Sequence, residues 1–265
     1  MKSLAQRRRH PLAAVALILL ALLITGTVYA AASSANTAQA SQSRESYTAE
    51  DVDNGEKLFL ANCASCHGMG AKGSPSGPSL VGVGAASVDF QVGTGRMPMA
   101  MQGPQAQKKP AQFDEEQTRQ LAAYVASLGS GPAVPSEEQV DTADGDAAKG
   151  GEVFRVNCAM CHNAAAAGGA LTRGKFAPAL EGVSEKHIYE AMVTGPQNMP
   201  VFNDSNISPE EKKNLITFLK TIETQGSPGG ADLGSLGPVS EGLFAWVAGL
   251  GIIIAFTIWL TSRSS

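Results

Sequence analysis

All 4 cysteines of the chain fall in two copies of one pattern, Cys63-Ala64-Ser65-Cys66-His67 and Cys158-Ala159-Met160-Cys161-His162. C-x-x-C-H is the attachment signature of c-type haem. The two thiols add across two vinyl groups and hold the macrocycle permanently. The histidine that follows is then placed to bind the iron from one side. Three other chemistries use paired cysteines. A four-cysteine zinc site would need the two pairs to meet, yet each opens its own stretch of chain. A thioredoxin-like redox pair would need a strand-to-helix setting, which the flanking residues lack. Two ordinary disulfides leave the following histidine unexplained. A motif that occurs twice in matching context favours two covalently bound haem c groups.

A haem iron needs a sixth ligand or an open site. Methionine is soft and uncharged, and Met/His ligation raises the reduction potential. Met97 lies downstream of the first motif in Gly93-Thr94-Gly95-Arg96-Met97-Pro98, and Met199 downstream of the second in Thr194-Gly195-Pro196-Gln197-Asn198-Met199-Pro200. Glycine lets the backbone pass close to a ring, and proline stiffens the loop that holds the sulfur. A methionine is more often packing than a ligand, but the repeat favours Met97 and Met199 as ligands. Met99 and Met101 are close enough to substitute for Met97. His187, on a short helix expected over 184–193, is a rival for the second iron, and its ordinary reading is a surface or satisfied histidine. Met160, inside the second motif, reads as packing.

These residues need elements to hold them, and the elements repeat too. Gly55 and Phe59 precede the first motif as Gly150 and Phe154 precede the second. Pro78-Ser79-Leu80 matches Pro178-Ala179-Leu180, and Tyr124 matches Phe218. The offset is 95 residues at the cysteines, 100 at the Pro-x-Leu elements, 102 at the methionines and 94 at the aromatics, so insertions lie between the landmarks. Each copy closes with an apolar stripe at i, i+3, i+4, i+7: Leu121, Tyr124, Val125 and Leu128, then Leu215, Phe218, Leu219 and Ile222. Ser208-Pro209-Glu210-Glu211 reads as a capping box, and Asp114 to Gln117 as a comparable start. No long alternating run separates the landmarks, so both copies read as all-α. Phe59 against Tyr124 and Phe154 against Phe218 are the expected contacts between first and last helix. Gly55 and Gly150 would let those helices cross closely.

At 265 residues the chain has room for about two domains, and its net charge of −4 gives no reason to expect nucleic-acid binding. The charge is unevenly placed. Lys2, Arg7, Arg8, Arg9 and Arg263 lie at the ends, so residues 33–241 hold 15 bases against all 24 acids, a net of −9. Leu12–Ala32 is an uncharged run of 21 residues, open to two readings: a retained signal-anchor helix or a removable signal peptide cleaved after Val28-Tyr29-Ala30. Gly242–Leu260, 19 residues with Trp246 and Trp259 near its ends, reads as a transmembrane helix. Basic residues collect on the cytoplasmic side, so residues 33–241 are expected outside the cytoplasm. The expected organisation is a signal peptide or N-terminal transmembrane helix over 1–32 and a stalk over 33–49. A first domain over 50–129 and a linker over 130–143 follow, then a second domain over 144–225. A tether over 226–241 leads to a transmembrane helix over 242–260.

The order of landmarks resembles two class I cytochrome c domains in tandem, over about residues 50–226. In that family a proline carbonyl accepts the hydrogen bond of the axial histidine, which implies Pro78 for His67 and Pro178 for His162. With a basic leader and one C-terminal span, the chain resembles the dihaem cytochrome c subunit of the actinobacterial menaquinol–cytochrome c reductase, the cytochrome bc complex. That resemblance implies a cell-membrane protein with its haem domains on the extracytoplasmic face. Its partners would be the cytochrome b and Rieske iron–sulfur subunits and a terminal cytochrome c oxidase. Electrons would pass through this chain as the electron-transfer subunit of a quinol oxidoreductase, with no substrate chemistry of its own. Two alternatives use the same motifs: the dihaem subunit of a cbb-type oxidase, and a dihaem peroxidase, which would need an iron that opens and nearby acid–base groups.

Overall fold

The computed structural model describes residues 11–42, 47–225 and 238–263. The basic leader and the tether over 226–237 lie outside them. Residues up to Ser46 form one unit and those from Tyr47 onward another.

The first unit is helix α1, Pro11–Gln42, with an apolar stretch over Val15–Ala30. Residues 33–42 were expected in a stalk, but they continue the helix. Five of these ten are alanine or glutamine, good helix formers that need no tertiary partner.

The second unit opens with α2, Ala49–Asn62, which leads through Cys63 into a single helical turn, α3, Ala64–His67. Then come α4, Ala85–Gly93, and α5, Glu115–Ser127. A short turn of helix, α6, Glu137–Val140, lies between the copies. The second copy repeats the plan with α7, Ala147–Asn157; α8, Ala159–His162; α9, Glu185–Thr194; and α10, Pro209–Gln225. It departs from the all-α expectation at one hairpin, where β1, Gly169–Ala170, pairs antiparallel with β2, Phe176–Ala177. Five extra residues between the histidine and the Pro-x-Leu element give the loop enough length to fold back on itself. The first copy has only the bridge Ser74 to Gly77 at this place.

First and last helices cross in each copy as the spacing implied. Phe59 and Tyr124 have ring centroids 5.2 Å apart, and Phe154 and Phe218 5.4 Å. A Cβ at Gly55 would overlap the backbone carbonyl of Gln120, and one at Gly150 that of Asn214. Both crossings therefore need glycine. Leu121, Val125, Val88 and Val92 complete the first core, and Leu215, Ile216, Ile188 and Met192 the second. Capping boxes start α2 (Thr48 with Asp51), α5 (Asp114 with Gln117) and α10 (Ser208 with Glu211). Asp51 also grips Arg119 on α5 through both carboxylate oxygens, at 2.5 and 2.9 Å. In the second copy that tie is uncharged: the Asp146 backbone N–H donates to Asn214 Oδ1 at 2.7 Å.

The two bundles dock on one another. Gln105 donates to the Phe176 carbonyl and accepts from the Phe176 N–H, both at 2.9 Å. Gln197 brackets Ala106 in the same way, at 3.0 and 3.1 Å. Lys186 on α9 holds both oxygens of Asp89 on α4, at 2.9 and 2.8 Å. The segment expected as a linker is held down as well. The Ala86 N–H donates to the Pro132 carbonyl, and the Gln139 amide reaches the Tyr189 hydroxyl at 2.9 Å.

The last helix, α11, Pro238–Arg263, contains an apolar stretch of 24 residues, Ser240–Arg263, whose most apolar 18 residues have a mean hydropathy of 2.3. At about 1.5 Å per residue it exceeds a bilayer core of about 30 Å. Among the described residues it is the one helix long and apolar enough to cross a membrane.

Two candidate haem sites

Each cysteine motif is a helical turn hung on the end of a long helix. Cys63 caps α2, and the N–H groups of Cys66 and His67 return to its carbonyl at 3.1 and 2.9 Å. Cys158 caps α7, and Cys161 and His162 return to it at the same two distances. None of the four cysteines is tied up in a disulfide. In each pair the first sulfur is the more enclosed, and burial pushes the thiols of Cys63 and Cys158 up to about 11.

The histidines are oriented by the loops that follow. His67 Nδ1–H donates to the Pro78 carbonyl at 2.8 Å, and His162 Nδ1–H to the Pro178 carbonyl at 2.9 Å. With Nδ1 engaged, Nε2 is the ring nitrogen left with a lone pair for a metal. Burial lowers the pKa of His162, against a smaller opposing effect of the Pro178 carbonyl, and so favours the neutral ring that can donate. The loops carrying the prolines match bond for bond. Gly73 N–H reaches His67 O and Gly168 N–H reaches His162 O, both at 2.8 Å. Leu80 N–H reaches Ala71 O at 2.8 Å and Leu180 N–H reaches Ala166 O at 2.9 Å.

Met97 packs against the core cluster that contains Phe59 and Ala64, and Met199 against the cluster that contains Phe154 and Cys158. The Met97 N–H is tied to the Gln91 carbonyl at 2.9 Å, and the Met199 N–H to the Pro196 carbonyl at 3.1 Å. Met99 is half-buried and lines a cleft with Met97, Gln91 and Gln197. Met101 is 78% exposed. Met160, expected to pack, is 89% exposed. It stands on the outer side of the one-turn helix α8, where nothing covers it.

Two features were not foreseen. Lys109 packs its backbone against Gly95 of the Met97 loop and carries its ammonium buried without a hydrogen-bond partner. His187 is neither a surface residue nor a satisfied one. Its Nε2 is enclosed at the seam between α4 and α9, without a hydrogen bond. No local pattern marks either residue, because the groups that enclose them come from distant parts of the chain.

The donor set fits covalent haem at both places. Each offers two free thiols, an imidazole with Nδ1 already engaged and a thioether on the same apolar cluster. The buried Lys109 ammonium adds a cation with no protein counter-charge, where a haem carboxylate could answer it.

Comparison with known proteins agrees. The family model for "Cytochrome C oxidase, cbb3-type, subunit III" matches residues 50–125 and 145–219, one match per copy. A "Cytochrome bc1 complex cytochrome c subunit" of Corynebacterium efficiens is 46% identical over 228 residues, covering 80% of this chain and 77% of its own. The protein of the same name from Corynebacterium diphtheriae is 40% identical over 281 residues, covering 99% of each chain. By contrast, the "Cbb3-type cytochrome c oxidase subunit FixP" of Sinorhizobium medicae is 32% identical over 126 residues, 44% of this chain. The likeness to oxidase subunits is thus weak and partial, whereas the other runs nearly end to end. The chain carries two covalently bound haem c groups and belongs to the family of cytochrome bc1 complex cytochrome c subunits.

Proposed function

We propose that this chain relays electrons from the Rieske iron–sulfur subunit of a menaquinol–cytochrome c reductase to a terminal cytochrome c oxidase. In this reading both haem domains lie on the extracytoplasmic face of the cell membrane, and α11 anchors them. The observation that carries it is the matched pair of sites. Each has a proline-bonded histidine directly after its cysteine pair and a methionine packed on the apolar cluster that includes the first cysteine, which supports His/Met ligation of both irons. Cys63, Cys66, Cys158 and Cys161 hold the macrocycles. His67 and Met97 ligate one iron, His162 and Met199 the other.

When bound, each haem supplies a one-electron iron couple. The protein's residues tune and shield it. The carbonyls of Pro78 and Pro178 fix the tautomer and tilt of each imidazole and raise its basicity. The thioethers favour the reduced iron, being soft and uncharged. The apolar clusters keep water off the ligands. Lys109 is the charge partner of a haem carboxylate in the first domain.

The name shared by the relatives supports assembly with the reductase subunits. The basic leader supports the extracytoplasmic placement under both readings of the N-terminal segment. A peroxidase would need a distal acid–base group, and His187, the spare histidine, faces Asp89 and Glu190 at the seam instead. Resonance Raman spectra of the purified native protein test the ligation. Two six-coordinate, low-spin haems are expected, and a high-spin haem that binds added ligands overturns the reading. Mild solubilisation followed by identification of the co-purifying chains tests the partners. Reductase and oxidase subunits are expected together.

A further inference from the structure

We infer that Asp89, His187 and Glu190 form a binding site for one divalent transition-metal cation of the zinc type, at the seam between the two haem domains. The inference stands apart from the electron-relay reading and from the haem ligands. Asp89 comes from α4 of the first domain, and His187 and Glu190 come from one face of α9 in the second, three residues apart. His187 Nε2 lies 3.9 Å from Asp89 Oδ1 and 3.9 Å from Glu190 Oε2, and the three donor atoms all fall within 4.8 Å of one another. A tetrahedral zinc with ligands at about 2.0–2.1 Å sets them about 3.3 Å apart, so each His187 pair would close by about 0.6 Å and the two carboxylates by up to about 1.5 Å to seat the ion.

The packing leaves the His187 and Glu190 atoms unanswered, while Asp89 is held by Lys186. Glu190 is 0% exposed, and neither carboxylate oxygen has a hydrogen-bond partner. His187 Nε2, buried beside it, has none either. Buried polar atoms in folded proteins are nearly always paired, so three orphans facing one point call for a missing group. Glycine at 93 lets α4 come this close, because a Cβ there would crowd His187 Nε2 at 3.1 Å and Asp89 Oδ1 at 3.5 Å. Burial pushes Glu190 up to about 9, so without a cation this carboxyl sits protonated at neutral pH. An imidazole nitrogen with two carboxylates suits zinc and its neighbours, not the all-oxygen preference of calcium or magnesium.

Cations already stand nearby, and they limit affinity. Lys186 holds Asp89, while Arg96 and Lys108 act on His187 from further away. Asp89 can keep Lys186 on Oδ2 and turn Oδ1 to the ion. Burial, with help from the nearby positive charge, lowers the His187 pKa and favours the neutral imidazole, the form that ligates. The bound ion would tie α4 to α9 and so staple the two haem domains together.

The test uses the full-length holoprotein in detergent, treated with chelator, with His10→Gln to remove the one other histidine not assigned to haem. Zinc chloride is titrated by calorimetry, and zinc K-edge absorption reads the first shell. One zinc per chain is expected, with one imidazole and oxygen donors at about 2.0–2.1 Å. His187→Gln and Glu190→Gln should each weaken binding at least tenfold. No binding at micromolar zinc, or equal affinity in wild type and both variants, overturns the site. Where a variant fails to fold, the wild-type absorption spectrum decides: a shell of oxygen alone overturns it.

Discussion

Met97, Met99 and Met101 are alternate residues of one short segment, and what each side chain touches separates them. Met97 packs on the core beside the first cysteine motif, Met99 lines the adjoining cleft, and Met101 is exposed. Met97→Ala should therefore lower the reduction potential of one haem by on the order of 0.1 V, within the roughly 0.8 V range that axial ligands command. Met199→Ala should do the same to the other haem, and Met101→Ala should change neither. Redox titration of each variant checks this, and a large shift from Met101→Ala would move the ligand assignment. The cysteines and the histidines that follow them were legible in the sequence, because covalent attachment demands a fixed spacing and the chain shows that spacing twice; the prolines, 11 and 16 residues beyond their histidines, came from the family resemblance. Met160 and His187 were misread for one reason. Burial of a single side chain depends on what the rest of the chain brings to it, and neither side chain is repeated in the other copy.

Helix crossings are where the elements carry the sites, and glycine sets how closely they approach. At Gly55 and Gly150 the space a Cβ would need is filled by backbone of the partner helix, which cannot swing away as a side chain would. Gly55→Ala and Gly150→Ala should each destabilise their own domain by about 1–3 kcal/mol or more, measured by denaturant unfolding. These crossings were readable from the paired glycines and aromatics. The charged tie across only one of them was not. Hydrogen bonds from Arg119 and the Thr48 backbone hold the Asp51 carboxyl well below the usual carboxylate range. A depressed carboxylate gives stability that is fully present above its unfolded pKa, near 3.8, and is lost as pH falls through the folded value. Arg119→Gln should accordingly weaken the first domain at pH 7, and its deficit should shrink steadily below pH 4. Asn214→Ala in the second domain should cost stability with no such acid dependence, because its bond to Asp146 joins an amide to a backbone N–H. Circular dichroism melts of both variants between pH 2 and 7 test the contrast.

The two haem domains meet through the parts that broke the repeat. Between cysteines and Pro-x-Leu the second copy has five extra residues, and between methionine and closing aromatic the first copy has eight. In the sequence these were only shifts of offset, with the polar composition of ordinary loops. In the fold, the second copy's extra length becomes the β1–β2 hairpin, and the first copy's extra length carries Gln105 against that hairpin and Ala106 against Gln197 of the Met199 loop. Docking was illegible because a glutamine that brackets a distant backbone leaves no periodic trace. Two such brackets, each with two hydrogen bonds, are neutral and screened little by salt, unlike the half-exposed Lys186–Asp89 pair. The seam should accordingly persist at high ionic strength and depend on the brackets. A Gln105→Ala/Gln197→Ala double variant should free the N–H groups of Ala106 and Phe176 to exchange with solvent at least tenfold faster. The N–H groups of Cys66, His67, Cys161 and His162, bonded within their own turns, should keep their protection. Hydrogen exchange with mass spectrometry at 0.05 and 0.5 M salt reads both sets. Faster exchange in wild type at high salt would show that Lys186 and Asp89 hold the domains together. Unchanged exchange in the double variant would show that the apolar and backbone contacts suffice without the glutamines.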